Sequence, residues 1–186
     1  MPPSNAHPRR QFLHHTLRMA ALTAALPAAA RASVAEPGAR TLSFVHTHTQ
    51  ERIEIAYADA EARYLPQALA TLNRFLRDHY TGEVGVMDPR LFDRLHRLRL
   101  ELGSDRPFEV ISAYRCPATN ARLRESRGGG VARQSLHLQG CAIDVRLQGA
   151  ALADLRDAAL AQRAGGVGYY ADSRFVHIDT GRVRSW

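Results

Sequence analysis

The sequence predicts an α+β domain, a small single domain with a central, mainly antiparallel sheet flanked by helices. Helix-spaced apolar residues fall in two early segments and one late one around short β-prone runs, without the regular strand–helix alternation of a doubly wound sheet. The chain has 186 residues, 45% of them apolar, which is enough for one sizeable core and too few for two. No segment repeats another.

Residues 1–32 read as an export signal rather than as part of that domain. Pro8-Arg9-Arg10-Gln11-Phe12-Leu13-His14 carries a twin-arginine pair followed by an apolar pair. A short apolar run over 19–30 follows, and Ala30-Arg31-Ala32 offers a small-x-small cleavage site. The run is shorter than the roughly 20 residues that span a bilayer. The other readings of this stretch are a disordered Ala-rich extension and an uncleaved anchor. Twin-arginine signals route folded proteins, so the expectation is a chain that folds, engages the twin-arginine export machinery, and is released near Ser33 into the periplasm without stable membrane insertion.

Residues 33–40, with Glu36-Pro37-Gly38, form a linker, and the domain occupies 41–186. Segments 41–46 and 52–57 alternate and are β-prone, so they form a hairpin turning at 47–51. Leu65, Leu69, Leu72, Phe75 and Leu76 repeat at helical spacing within 64–80. Asp88-Pro89 caps a second helix through Leu102, with Gly103 as its stop. Then come a strand at 108–112, a short helix at 117–124, a flexible loop at Gly128-Gly129-Gly130, a strand at 142–147 and a helix at 152–163. Two final strands at 167–170 and 175–179 are joined by a turn at 171–174.

The formal charge of +7 suggests a polyanion partner until its distribution is considered. Arg9, Arg10, Arg18 and Arg31 lie in the first 32 residues, which hold no acid; beyond them 21 arginines face 18 acids. Arg90, Arg94, Arg97 and Arg99 alternate with Leu91, Leu95, Leu98 and Leu100, the wet face of an amphipathic helix. Without clustered bases and interleaved aromatics, no nucleic-acid partner is expected. Cys116 and Cys141 are the only cysteines. In an oxidising compartment they permit one disulfide; the other reading is two small buried hydrophobes.

The chemistry lies in Ser135-Leu136-His137-Leu138-Gln139-Gly140-Cys141-Ala142-Ile143-Asp144, read with Phe175-Val176-His177-Ile178-Asp179. Gly140 breaks any helix between His137 and Asp144, so a loop carries the histidine into a strand that presents the aspartate. On the last strand Phe175, His177 and Asp179 share a face while Val176 and Ile178 point to the core. Two imidazoles and a carboxylate leave zinc an open fourth position, the arrangement of a catalytic site. His46 and His48 also share a strand face but have no third partner in sequence.

The pattern S-x-H-x-x-G-x-A-x-D, the later strand histidine and the upstream Ser112-Ala113-Tyr114-Arg115 together resemble the zinc peptidase family of D-alanyl-D-alanine carboxypeptidases and murein endopeptidases. The closest likeness is to its branch of twin-arginine-exported murein endopeptidases, the MepK type. The resemblance covers nearly the whole chain after residue 32, including Phe75-Leu76-Arg77-Asp78, Leu91-Phe92-Asp93 and 163–170. It implies the hedgehog/D-Ala-D-Ala peptidase-like fold, Zn2+ held by His137, Asp144 and His177, and a zinc-bound water that attacks a peptide bond in peptidoglycan crosslinks or stem peptides. Arg115 would stabilise the oxyanion. Ser135 would bind substrate or brace a ligand, and Tyr114, Tyr169 and Tyr170 would line the cleft. Carboxypeptidases of this family place a glutamate base three residues before the last zinc histidine, where this chain has Arg174. Asp179 replaces it as base, or it holds a ligand histidine from behind. The competing functions are a D,D-carboxypeptidase on free stems and a non-catalytic, zinc-stabilised peptidoglycan-binding module.

Overall fold

A computed structural model describes residues 37–126 and 131–186, all within one compact unit. The export signal, the first half of the linker and the triple-glycine loop expected from the sequence lie outside the described residues. Among the described residues no helix is long and apolar enough to cross a membrane.

The opening hairpin forms as expected, with β1 at Arg40–His46 and β2 at Arg52–Ala58. Helix α1 runs over Pro66–Phe75 and α2 over Pro89–Glu101. They are followed by β3 (Phe108–Ser112), α3 (Pro117–Ser126), β4 (Ala142–Leu147), α4 (Leu152–Ala161), β5 (Gly166–Tyr170), β6 (Phe175–Asp179) and β7 (Arg184–Ser185). The seven strands make one sheet in the order β2-β1-β3-β4-β6-β5-β7. Only β1–β3 and β5–β7 pair in parallel, so the sheet is mainly antiparallel.

Local chemistry sets the helix ends. Helix α1 is shorter than its apolar spacing suggests because Pro66 opens it and Asp78 turns the chain beyond it, accepting from the backbone N–H groups of Tyr80, Thr81 and Cys116. In α2 the Asp88 carboxylate caps the Arg90 N–H, as the Asp-Pro pair predicts.

One face of the sheet forms the core with α1, α2 and α4, through Phe44, Val110, Ile143, Val145, Val176 and Ile178. The α2 face requires a correction. Arg90 and Arg97 are exposed, but Arg94 is only 1% exposed, whereas Leu100 is 62% exposed. The Arg94 guanidinium donates to the backbone carbonyl oxygens of Asp179, Gly166 and Ala159. Burial draws its pKa down to about 10, which leaves it charged at neutral pH and paired with the ends of the strands that carry the site.

Candidate metal centre

The core face of β4 and β6 is apolar, and the opposite face carries the chemistry. Antiparallel register sets Ser112 of β3 against Asp144 of β4, Asp144 against His177 of β6, and His177 against Gly168 of β5. One row across four strands therefore presents Asp144 and His177 side by side. His137 arrives from a single 3₁₀ turn, Leu136–Gln139, rather than the open loop expected. Ser135 starts that turn by accepting from the His137 N–H at 3.4 Å. Gly140 ends it at φ +66°, a conformation that costs glycine little; a Cβ there would also lie 2.0 Å from the Val86 carbonyl oxygen.

The three side chains converge. His177 Nδ1 lies 2.8 Å from Asp144 Oδ1 and 3.3 Å from His137 Nε2, which is itself 3.3 Å from Asp144 Oδ1. Tetrahedral zinc with ligands at about 2.0–2.1 Å sets neighbouring donor atoms roughly 3.3 Å apart, so the triangle has the size the ion requires. The far nitrogens of both rings are also committed. His137 Nδ1 is 2.6 Å from the Ala113 carbonyl oxygen and His177 Nε2 is 3.2 Å from Asp179 Oδ2. Each ring thus has an acceptor for an outward N–H, the outer-sphere arrangement that lets a histidine turn its other nitrogen to a metal once that nitrogen is deprotonated. Among the described residues no other group of three such ligands converges.

The electrostatics follow from burial against pairing. Burial raises the Asp144 carboxyl, but His137 and His177 carry it well below the usual carboxylate range. Burial pushes His137 down, against the pull of Asp144. Burial also favours neutral His177, yet Asp144 and Asp179 outweigh it and raise that ring to about 9. The two rings share Asp144, and we assign the proton preference to His177 because it alone touches two carboxylates.

Asp179 does not sit where a general base is needed. It is 0% exposed and its oxygens are saturated: Arg184 Nη2 at 2.7 Å, the Gly166 N–H at 2.9 Å, the Gly181 N–H at 2.8 Å and His177. Burial raises its pKa, but these partners bring it below the usual range. This corrects the expectation of Asp179 as base; with no lone pair left to face the cleft, it supports His177 from behind. Arg174, in the position of the missing glutamate, lies beside Glu109 and Arg146, outside the metal pocket.

Arg115 reaches the site from the end of β3. Its Nη2 lies 3.9 Å from Asp144 Oδ2, and Asn120 Oδ1 and Ser112 Oγ brace the guanidinium at 3.4 and 3.3 Å. Ser135 and Tyr170 line the pocket with it. Tyr114 does not, which corrects its expected place in the cleft. Backbone alternation turns it away from Arg115, its ring packs against Gly85 and its hydroxyl donates to Glu83 at 3.1 Å. Tyr169 packs against the core beneath Arg156. Of the two readings of the cysteines the structure has no bridge: both are free, Cys116 buried and Cys141 partly exposed. Cys116 Sγ is 3.5 Å from Thr119 Oγ1 and Cys141 Sγ is 3.5 Å from the Gln139 carbonyl oxygen, so each thiol is held by its own local partner.

The cavity above the ligands is about 370 Å³. Two of its walls escaped the sequence reading, Arg184 and Trp186. Trp186 packs 5.3 Å from the His177 ring and its Nε1 donates to the Tyr170 hydroxyl at 2.8 Å. The clue was Gly168, where a Cβ would meet the Trp186 ring at 2.7 Å; a glycine within a strand marks a close approach.

A family model described as "Peptidoglycan L,D-endopeptidase MepK" matches residues 34–186. The Escherichia coli K12 protein "Peptidoglycan L,D-endopeptidase MepK" is 45% identical over 163 residues, 88% of each chain. The Haemophilus influenzae protein "Probable peptidoglycan L,D-endopeptidase MepK" is 41% identical over 163 residues, 87% of this chain and 86% of that protein. No solved structure gives a significant match. A family model spanning the whole described domain and relatives at this identity are joined by the converging His137–Asp144–His177 triangle, and the chain belongs to the MepK family of M15-type peptidoglycan peptidases.

Proposed function

We propose that the chain is a zinc-dependent peptidoglycan endopeptidase that hydrolyses peptide crosslinks in the periplasm after twin-arginine export of the folded protein. Residues 1–32 act as the signal, 33–40 as linker and 41–186 as the peptidase domain. The observation that carries the metal reading is the convergence of His137 Nε2, His177 Nδ1 and Asp144 Oδ1, with an acceptor at the far nitrogen of each ring. The relatives' printed names carry the substrate class.

His137, Asp144 and His177 would hold the ion. Bound zinc supplies a Lewis acid that lowers the pKa of water toward 7 and polarises the carbonyl under attack. The chain's own groups do the rest. Arg115, charged at every relevant pH and braced by Asn120 and Ser112, is placed to stabilise negative charge as it develops on the carbonyl oxygen. Asp179 holds His177 in the tautomer that faces the centre. Ser135 starts the turn that presents His137, and Tyr170 with Trp186 walls one side of the substrate path.

Two features favour an endopeptidase over a carboxypeptidase. A second cavity adjoins the metal pocket, sharing Arg115, Val131, Asp144 and Phe175 with it, which offers room for more peptide than a free stem end needs, and the glutamate of the carboxypeptidases is replaced by Arg174. The test is His177→Ala. Zinc binding and crosslink hydrolysis are both expected to be lost while the circular dichroism spectrum keeps its native shape; full hydrolysis by this variant contradicts the proposal.

A further inference from the structure

The backbone that carries Arg115 is pinned to the metal centre. The Arg115 N–H donates to the His137 carbonyl oxygen at 3.2 Å, and the His137 ring sits on the Ala113 carbonyl oxygen at 2.6 Å. Asp78 holds the next residue, accepting from the Cys116 N–H at 2.9 Å. These bonds fix the Arg115 backbone relative to the ligands. They do not fix its guanidinium, which stands at the end of a long, rotamer-rich stem.

Asn120 reaches that guanidinium from the start of α3. The residue is 4% exposed, and its amide is used at both ends. Oδ1 accepts from Arg115 Nη1 at 3.4 Å, and Nδ2 donates to the Ala132 carbonyl oxygen at 3.2 Å. Chemistry fixes which end is which, because a guanidinium only donates and a carbonyl only accepts, so a flipped amide would lose both bonds. Ala132 belongs to the segment 131–136, of which Val131, Ala132, Gln134, Ser135 and Leu136 wall the metal pocket. Ala132 and Gln134 are exposed. One planar group therefore ties a solvent-facing wall of the pocket to a buried arginine. An aspartate here would keep the acceptor for Arg115 and turn an oxygen toward the Ala132 carbonyl; a leucine would offer neither bond.

We propose that Asn120 is a positioning residue with two separable effects: through Oδ1 it sets the Arg115 guanidinium for the developing oxyanion, and through Nδ2 it holds the 131–136 wall against the substrate. The proposal rests on the endopeptidase reading and on Arg115 as its oxyanion cation. The first effect belongs to the transition state, where charge develops on the carbonyl oxygen, so it appears in kcat. The second belongs to substrate binding before and during the reaction alike, so it appears in KM.

Zinc-loaded protein and crosslinked muropeptide dimers test both effects in one double-mutant cycle. Asn120→Leu is expected to lower kcat about 10- to 100-fold, the cost of a misplaced catalytic group, and to raise KM several-fold with zinc stoichiometry retained. With Arg115→Ala already in place, Asn120→Leu is expected to leave kcat where Arg115→Ala put it and still to raise KM. Asn120→Asp, close in shape and so readable even where Asn120→Leu does not fold, is expected to raise KM in the same way while sparing most of kcat. A kcat loss as large without Arg115 as with it, or one that follows loss of zinc, overturns the setting of Arg115; a KM unmoved in both variants overturns the hold on the wall. Nitrogen NMR of the side chains separates these outcomes from the endopeptidase reading. The Arg115 Nη signals, resolved while the guanidinium is held, are expected to merge in Asn120→Leu. If the unsubstituted protein cuts no dimer, the endopeptidase reading falls, and the spectrum still decides the other claim: merged signals keep the hold of Asn120 on Arg115, and signals that do not change overturn it.

Discussion

Asp179 shows how far a single side chain's role depends on what surrounds it. Its place two residues after His177 puts both on one strand face, and that much is legible in the sequence. Its depth is not, because the partners that saturate it come from β5, from the turn at Gly181 and from Arg184. Asp179→Asn is therefore expected to weaken zinc binding by about 10- to 100-fold, the usual effect of losing the acceptor behind a metal-binding histidine. Competition against a chromophoric chelator measures it; unchanged affinity would remove Asp179 from the support of His177. Proton and metal also compete for His177 Nδ1. Since that ring is raised to about 9, binding zinc releases a proton, and apparent affinity is expected to rise with pH up to about 9 before levelling. Isothermal titration in buffers of different ionisation enthalpy detects that proton. His137, Asp144 and His177 could be singled out in the sequence because their pattern is specific; Arg184 and Trp186 could not, since a two-residue strand has no periodicity to read.

Helix α2 carries the same lesson at the scale of an element. Positions 91, 94, 95 and 98 form one helical face, so the spacing itself places Arg94 with Leu91, Leu95 and Leu98. Only its charge argues for solvent. The structure resolves the conflict by giving Arg94 backbone carbonyl partners at the ends of β5, β6 and α4. Arg94→Leu would strand those oxygens in the core, and a loss of about 2–4 kcal/mol is expected in urea unfolding; a loss under 1 kcal/mol would show that water replaces the guanidinium. The hairpin is tied to the same helix by Asp93, which accepts from Arg40, Tyr57 and Tyr64. Burial raises the Asp93 carboxyl, and those three bonds carry it below its ordinary value. A depressed carboxyl stabilises the fold fully above the unfolded pKa of about 3.9 and loses that contribution as pH falls through the folded value. Asp93→Asn is thus expected to destabilise the protein at neutral pH and to flatten its stability below pH 4.

For the molecule as a whole, the hairpin, strands β3 to β6 and the order of the helices follow from apolar spacing and turn residues, whereas β7 and the sheet order do not. Inserting β1 in parallel beside β3 and closing the far edge with β7 depends on contacts between residues distant in sequence, and these bring His48 of the β1–β2 turn to the cavity that adjoins the metal pocket and Trp186 to the wall of the metal pocket itself. Zinc at the meeting point of β3, β4 and β6 is expected to stabilise the folded state, by about 2.7 kcal/mol at 100 times its dissociation constant, seen as a melting temperature that falls on chelation and returns on zinc addition. The central claim is hydrolysis of crosslinks at this centre. Crosslinked muropeptide dimers should be incubated with the protein, with chelator, and with chelator followed by zinc, and the products weighed by mass spectrometry. The account predicts monomers in the first and third reactions and intact dimers in the second; dimers that stay intact with zinc present, or that are cut equally in chelator, would contradict it.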